Sequence, residues 1–412
     1  MQDKDLYWHL LGLVHPWTVA KVDLDIAKQR VDVWAEHDKG LRWPCPECGQ
    51  ECSLYDHSEE RVWRHLDSCQ FMTYLHAAPP RINCPDHGIK QARLPWAETK
   101  SRFTLLFEAL AITVLLHTDI KGAAEILRIS WDEAMHIMER AVERGLAAKK
   151  ETAIKHLGVD EKAITKGQNY LTITCDLDRG VVDGIVDGRT KEALDGYFTS
   201  LKENQRKGIE AVAIDMWGPF IQSVTDNLGQ EKIVFDIFHV MMHMNQAVDM
   251  VRRREHMALL NAGDKTLTRS KYLWLYREEN VPEKHRERFE ALKDLNLKTA
   301  RAWAIKESLR GFWNYKLLRW AIWYWKRWYY WATHSRLQPV IKVAKMLKRH
   351  IDNILTYFEH RITNAVSEGL NAKIQAIKKQ SYGFRNVKHF KTAIYFHCGG
   401  LQLFPSTHAN VR

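Results

Sequence analysis

Two short stretches carry the clearest chemistry in the sequence. Cys45-Pro-Glu-Cys48 and Cys84-Pro-Asp-His87 share one spacing and one proline, and a glycine follows each, Gly49 and Gly88. A tight turn between paired ligands aims both side chains at one point. Two such turns give a Cys₃His set, the tetrahedral donor set of a structural Zn²⁺ with no open position. The glycines suit the sharp backbone turns. Cys52, His57, His65 and Cys69 lie close by but lack paired spacing, and they are read as non-ligands. Buried free cysteines beside a surface histidine are the bland alternative, and the doubled spacing outweighs it.

A second chemistry is carried by carboxylates. Asp160 closes the strand-like run AIKHLGVD, and Asp215 closes the apolar run EAVAID. A carboxylate ending an apolar strand is expected to point from the strand edge into a site. Glu368, in AVSEGLNAKI, is expected on a late helix that packs back beside the first strand. Three converging carboxylates would hold two Mg²⁺ ions, with Mn²⁺ as a substitute, about 3.5–4 Å apart. Such a pair activates an attacking oxygen and steadies a leaving one. Taken singly, each acid has a bland reading as a solvated side chain. Glu161, Asp183 and Asp187 compete, and Asp176 and Asp178 are expected to be exposed.

The elements that must position these residues follow from hydrophobic periodicity. Short strand patterns fill the first hundred residues, including VAKVDLD and RVDVWAE. Between 103 and 150 the period becomes helical. KGAAEIL, RIS and WDEAMHIMERAV have helix-turn-helix proportions, with Ser130 placed as an N-cap. Ala123, Ile126 and Leu127 are expected to pack against Ile129, Ala134, Ile137 and Met138. From Ile154 the order is three strands, then helix, strand, helix, strand, a ribonuclease-H-like layout. From His239 to about Lys348 the pattern is helical, and Lys345 to Lys379 reads as one further helix. The remainder reads as turns and apolar segments. The fold class is therefore multidomain α/β: a ribonuclease-H-like core with a large all-helical insertion, preceded by a small zinc-binding domain and a helix-turn-helix. The expected boundaries are 1–98 (zinc), 99–150 (helix-turn-helix), 151–240 (first part of the core), 241–350 (insertion) and 351–412 (the glutamate helix and tail).

Composition narrows the partner. The formal net charge is +11 and the pI about 9.2, which favours a polyanion such as nucleic acid. Arg252, Arg253, Arg254, Lys326, Arg327, Lys373 and Lys378 are the candidate phosphate contacts. The insertion also interleaves tryptophans with these cations. Helical spacing assigns Trp320, Trp323 and Trp331 to its core. Arg361, Asn364, Glu368, Asn371 and Gln375 are spaced to share one helix face, where Asn371 would orient Glu368 or a phosphate. The N-terminus starts acidic and lacks the apolar stretch of a signal peptide, and no run is apolar enough to span a bilayer. A cytoplasmic protein is expected.

The runs GVDEKAITKGQNYLTITCDLDRG, AVAIDMWGPFIQSV, VFDIFHVMMHMNQAVDMVRR and SEGLNAKIQAIKKQSYGFRN resemble the DDE transposases of the ISL3 insertion-sequence family. CPECG, VWRHLD, PPRINCPDHG and LPWA resemble that family's zinc-binding head. The similarity runs from about Trp17 to Phe390. It implies a bacterial, nucleoid-associated enzyme with catalytic acids Asp160, Asp215 and Glu368, acting on double-stranded transposon ends and target DNA. It also marks Asp236 and His239, in Asp-x-x-His, as a signature of transposases with a helical insertion. From the residues alone these two are either a packing pair at a helix start or supports of the metal site or of flipped DNA. A homodimer on DNA is expected, because two ends must be brought together. Two other readings stay open: a non-catalytic zinc and helix-turn-helix regulator, and a ribonuclease-H-like nuclease that cuts without joining.

Overall fold

The computed structural model describes residues 3–164, 169–362, 365–381 and 383–406. The chain forms two units, Met1–Lys149 with Ile377–Arg412, and Lys150–Ala376.

The first unit begins with α1 (Asp3–Leu10) and continues through β1 (Trp17–Asp25), β2 (Arg30–His37), β3 (Arg42–Pro44), β4 (Glu51–His57), β5 (Arg61–Arg64), β6 (Met72–Ala77), β7 (Pro80–Cys84) and β8 (Gly88–Gln91). Two four-stranded sheets result, ordered β1-β2-β6-β5 and β3-β4-β7-β8. Trp17, Val33, Trp63, Leu75 and Ile82 fill their common core. Three helices follow: α2 (Leu105–His117), α3 (Ile120–Leu127) and α4 (Trp131–Ala147). Thr104, Asp119 and Ser130 cap them, and Ser130 forms a reciprocal capping box with Glu133. Ala123, Leu127, Ala134, Ile137 and Met138 are buried as expected, but Ile126 is 61% exposed. The buried stripe starts at Ile120 and continues through Ala123, Ala124 and Leu127, so the i, i+3, i+4, i+7 rule puts Ala124 inside and Ile126 outside.

The second unit begins with the antiparallel strands β9 (His156–Ala163), β10 (Tyr170–Asp176) and β11 (Val181–Asp187). Helices α5 (Lys191–Ser200) and α6 (Glu203–Gly208) lead to β12 (Ala211–Ile214). Then α7 (Gly218–Leu228) leads to β13 (Ile233–Phe235). The sheet order is β11-β10-β9-β12-β13, and β12 runs parallel to both of its neighbours. The helical stretch comprises α8 (Ile237–Asn261), α9 (Glu283–Asp294), α10 (Lys298–Arg310), α11 (Leu318–Thr333), α12 (Gln338–Arg349), α13 (Ile351–Leu355), α14 (Tyr357–His360) and α15 (Ala365–Gln380). The single helix expected from Lys345 to Lys379 is thus four helices. Arg361 breaks it in the left-handed region at φ 50°.

Side-chain alternation gives the sheet two different faces. Leu157, Val159, Val212, Ile214, Ile233 and Phe235 join α5, α7, α8 and the helical stretch in one large core. On the other face Cys175, Leu177 and Ala213 form a small cluster with Ile362 and Leu370, the latter on α15. Tryptophan burial in α11 departs from the expectation at Trp320, Trp323 and Trp331. Trp325 and Trp328 are buried, whereas Trp320 and Trp323 are each 47% exposed and Trp331 is 40% exposed. Ala321 and Ala332 extend the buried stripe, since small side chains let the helix seat closely there.

The C-terminal residues read as turns and apolar segments instead include a helix, α16 (Val387–Cys398), capped by Asn386 and belonging to the first unit. Its buried face carries Phe390, Ala393, Ile394 and Phe396. Among the described residues no helix is long and apolar enough to cross a membrane.

Candidate active site and metal centres

Strand register brings the carboxylates into a row. Ala213 of β12 pairs with Gly158 of β9. Asp215 and Asp160 each stand two residues further on, so alternation puts them on one face at the same level of adjacent strands. β13 extends the row: Ile214 pairs with Phe235, and the Asp236 amide donates to the Ile214 carbonyl at 3.1 Å. Asp160, Asp215 and Asp236 therefore stand side by side on the face that α15 covers, the latter two just past the ends of β12 and β13; Asp160 does not close its strand as expected, because β9 stays paired with β10 as far as Ala163.

A glycine sets the approach of α15. A Cβ added to Gly158 would lie 2.5 Å from Ser367 Oγ, 2.7 Å from Cys175 Sγ and 2.8 Å from Leu177 Cδ2. Only a residue without a side chain lets the helix settle there. Ser367 is buried and meets Cys175 Sγ at 3.0 Å. Its neighbour Glu368 is carried toward the row, and one turn on Asn371 Nδ2 donates to Asp160 Oδ2. None of Gly158, Cys175 or Ser367 was singled out by the sequence reading. A glycine inside an otherwise apolar strand was the available signal.

The electrostatics are those of crowded like charges. Burial raises the carboxyl pKa of Asp160, and the neighbouring Asp215 raises it further, while the Glu161 amide and His239 pull it down. Burial likewise raises Asp215, with Glu161 and Asp236 adding to it and His239 opposing. Glu368 is raised first by burial, then by Asp236 and Asp160. His239 is pushed the other way, toward its charged form. The chief cause is its hydrogen bond to Asp236, Nδ1 to Oδ2 at 3.1 Å, and Asp215 and Asp160 add to it. Asp236 also caps α8 by accepting from the Phe238 amide. Helix capping and contact with the carboxylate row are thus combined in one Asp-x-x-His pair. Asp215 Oδ1 is buried without a hydrogen-bond partner. Such an orphan acceptor, facing other carboxylates, is a donor set for divalent cations. Among the described residues Asp160, Asp215 and Glu368 line a row; they do not close within 4.8 Å of one another as a single-ion site does.

Two further residues stand at this edge. Arg189 lies 3.4 Å from Glu161 and stacks over Tyr170 at 4.0 Å and Trp217 at 5.3 Å. Trp217 is exposed immediately after the row. Asp178 is exposed as expected, but Asp176 is buried because its carboxylate accepts from the Asp178 and Arg179 amides and closes the turn after β10.

The zinc half-sites converge. Cys45, Cys48, Cys84 and His87 present donor atoms that all lie within 4.8 Å of one another. Cys48 Sγ is 3.8 Å from Cys84 Sγ, and His87 Nδ1 is 3.6 Å from Cys84 Sγ. Each pair sits on a hairpin turn, with Gly49 at φ 76° and Gly88 at φ 67°. The four ligands match the closed set of a structural Zn²⁺. The neighbours are otherwise engaged: Cys52 Sγ donates to the Gln50 carbonyl, His57 stacks on His37, and His65 bonds Thr104 and Leu10.

The candidate phosphate contacts divide. Arg252 is buried and gives two hydrogen bonds to Asp249, which removes it from a DNA-facing set. Arg253 is exposed and bonds the same aspartate, and Arg254 is exposed. Lys326 and Arg327 are exposed on α11, with Arg327 stacked over Trp323 at 4.7 Å. Lys373 is exposed and Lys378 half-buried on α15. Arg361 does not share the face of α15; its guanidinium donates to the carbonyls of Tyr315 and Lys316. Asn364 lies outside the described residues.

Comparison with known proteins places the chain by family. Residues 157–394 match the sequence profile of the ISL3 transposases. Residues 41–87 match the zinc-finger of transposase IS204/IS1001/IS1096/IS1165, and residues 92–142 match the helix-turn-helix domain of transposase family ISL3. The chain is 25% identical over 350 residues to the transposase for insertion sequence element IS1001 of Bordetella parapertussis, covering 84% of this chain and 86% of that protein. It is 25% identical over 369 residues to the transposase for insertion sequence element IS1557 of Mycobacterium tuberculosis, covering 83% and 82%.

Proposed function

We propose that this chain, which belongs to the ISL3 family of transposases, binds the ends of its insertion sequence and catalyses DNA cleavage and strand transfer with Asp160, Asp215 and Glu368. The observation that carries this reading is the strand register that sets Asp160, Asp215 and Asp236 side by side, with burial disfavouring the charged forms of Asp160, Asp215 and Glu368 and the buried Asp215 Oδ1 left unpartnered. The sheet order β11-β10-β9-β12-β13 supports a ribonuclease-H-like core, with 241–350 as its helical insertion. In this reading the zinc head (1–98) and helix-turn-helix (99–150) select the DNA end, and 351–412 supplies the glutamate helix.

The residues divide the work. Asp160, Asp215 and Glu368 would hold two Mg²⁺ ions, or Mn²⁺, which when bound activate the attacking oxygen and stabilise the leaving one. Asn371 fixes the Asp160 carboxylate, and Asp236 favours the charged form of His239 beside the row. Trp217 and Arg189 offer an aromatic and cationic rim at the same edge. Water first displaces the 3′ oxygen of the transposon end from its phosphodiester. The freed 3′-OH then displaces a target-strand oxygen in a second in-line step. The exposed face of α11, with Arg319, Trp320, Trp323, Lys326 and Arg327, suits DNA: cations neutralise phosphates and aromatic faces stack on unpaired bases. Two chains are required to bring two ends together.

Labelled end DNA, target plasmid and Mg²⁺ test the reading. Wild type should cut and join, while Asp160→Asn, Asp215→Asn and Glu368→Gln each bind ends and cut nothing. Wild-type binding without cutting would make the chain a regulator, and cutting without joining would make it a nuclease. Full cleavage by any of the three variants would remove that acid from the chemistry.

A further inference from the structure

Opposite the carboxylate row, at the other ends of the same strands, a second set of ligand-type side chains comes together. His156, Glu210 and His360 each offer a donor atom, and these atoms all lie within 4.8 Å of one another. His156 opens β9 and pairs with Ala211, which opens β12, so Glu210 is one residue away on the adjoining strand. His360 is the last residue of α14. Its ring lies 6.1 Å from that of His156. The two histidines are half-buried and Glu210 is exposed.

We infer that His156, Glu210 and His360 form a divalent-metal site for Zn²⁺, separate from both the cysteine centre and the carboxylate row. The donor chemistry fits: two imidazoles and a carboxylate are a known three-ligand zinc set, with water in the fourth position. His156 is already oriented as a ligand. Its Nδ1 is 2.8 Å from Asp178 Oδ1, which leaves Nε2 with its lone pair for a cation. A carboxylate behind a histidine is the usual outer partner of a zinc ligand, because it fixes the tautomer and raises the basicity of the ring. Tetrahedral ligands at ~2.1 Å from one ion lie about 3.4 Å apart, so binding would draw donors that now lie within 4.8 Å of one another inward by up to about 1.4 Å. The competing partner of Glu210 is Lys155 at 3.2 Å. Both are largely exposed, and such a surface pair is readily exchanged.

The site would clamp three segments together. His156 lies four residues before Asp160, Glu210 five before Asp215, and His360 eight before Glu368. A bound ion would fix the starts of β9 and β12 against the end of α14, and thereby the segment that leads into α15. The metal site stands without the transposase reading; its effect on the three acids rests on that reading.

Zinc content of the full-length chain, dialysed with excess Mg²⁺, tests the inference. Wild type should retain two Zn²⁺ per chain and His360→Gln one, while Asp160→Asn retains two. Asp178→Asn should keep the site but weaken it about 10- to 100-fold. Co²⁺ substitution gives an independent readout. The first equivalent should bring thiolate charge-transfer bands, and the second only weak ligand-field bands, which His360→Gln abolishes. One zinc in the wild type, two in His360→Gln, or loss of the second ion in Asp160→Asn would each overturn the assignment. Two zincs in a protein that never cuts DNA would sink the transposase reading and leave this site intact.

Discussion

Replacing Gly158 by alanine should separate the glutamate helix from the first strand. The new Cβ would meet Ser367 Oγ at 2.5 Å, Cys175 Sγ at 2.7 Å and Leu177 Cδ2 at 2.8 Å. Cys175 and Leu177 belong to the packed cluster on that face, so neither can turn away. The cheapest response is for α15 to lift off β9. Overpacking of this kind costs about 1–3 kcal/mol. For a unit of this size each kcal/mol lowers the melting temperature by about 2–4 °C, so a fall of about 2–12 °C is expected. The larger effect should be on cleavage, since the displaced helix carries Glu368 and Asn371. A shift of about 1 Å in a catalytic group can cost about 100-fold. The assay is single-turnover cutting of labelled end DNA, beside calorimetric melting and end binding, which should be unchanged. Ser367→Ala removes the atom struck hardest, so the double variant should regain part of both losses. Unaltered melting and cutting in Gly158→Ala would refute the close-approach account, and so would a double variant that loses simply the sum of the singles.

Four other outcomes are expected. Burial holds the His65 imidazole near 4 against 6.5 when free. The unfolded chain therefore takes up the proton first, and this stability is complete above pH 6.5 and lost as pH falls toward 4, amounting to roughly 3 kcal/mol. His65→Gln should flatten that acid slope in thermal melts of the full chain, and an unchanged slope would exclude His65. Cys84→Ser should lose the zinc of the cysteine centre while Cys52→Ser keeps it; metal analysis giving the reverse would reassign the ligands. Charge reversal at Lys326 and Arg327 together should reduce the log–log salt dependence of DNA binding by about 1.8, on a slope of about 0.9 per phosphate contact. An unchanged slope would place DNA elsewhere. The isosteric variants of Asp160, Asp215 and Glu368 should bind ends yet leave them uncut.

Much of the site was legible because it depends on short-range rules. The doubled Cys-Pro-x-Cys and Cys-Pro-x-His spacing encodes two hairpin turns, and Ser130 with Glu133 encodes a helix start. Asp215 is readable because a carboxylate ending an apolar strand has few places to go, whereas Asp160 stands inside β9, which runs on to Ala163. What sequence periodicity could not supply was phase and partnership. In α11 two aromatic stripes compete at helical spacing, and the alanines at 321 and 332 decide which one faces inward. Arg252 looks like a DNA contact in an Arg-rich run, yet Asp249 one turn earlier draws it into the interior. The break at Arg361 leaves no proline or glycine to mark it. Asp236 belongs to the row only through the register of β12 with β13, which no local pattern encodes.

The cysteine centre and the carboxylate row of the proposed enzyme handle charge in opposite ways, and that contrast follows from what each must do. At the cysteine centre four ligands close around one point, and nothing remains open for a substrate. Along the carboxylate row the fold does the reverse. It crowds acids on three adjacent strands, buries them enough to disfavour their charged forms, and leaves an Asp215 oxygen without a donor. A structural role would be better served by pairing each acid with an arginine, as Glu108 is paired with Arg140 and Arg144 in the first unit. His239 pulls on all three acids of the row, and it is itself tied to Asp236. Negative charge therefore remains uncompensated within the row. Divalent cations and the phosphodiester they bring with them are the partners that would balance it, and the cost of crowding the acids becomes affinity when they bind.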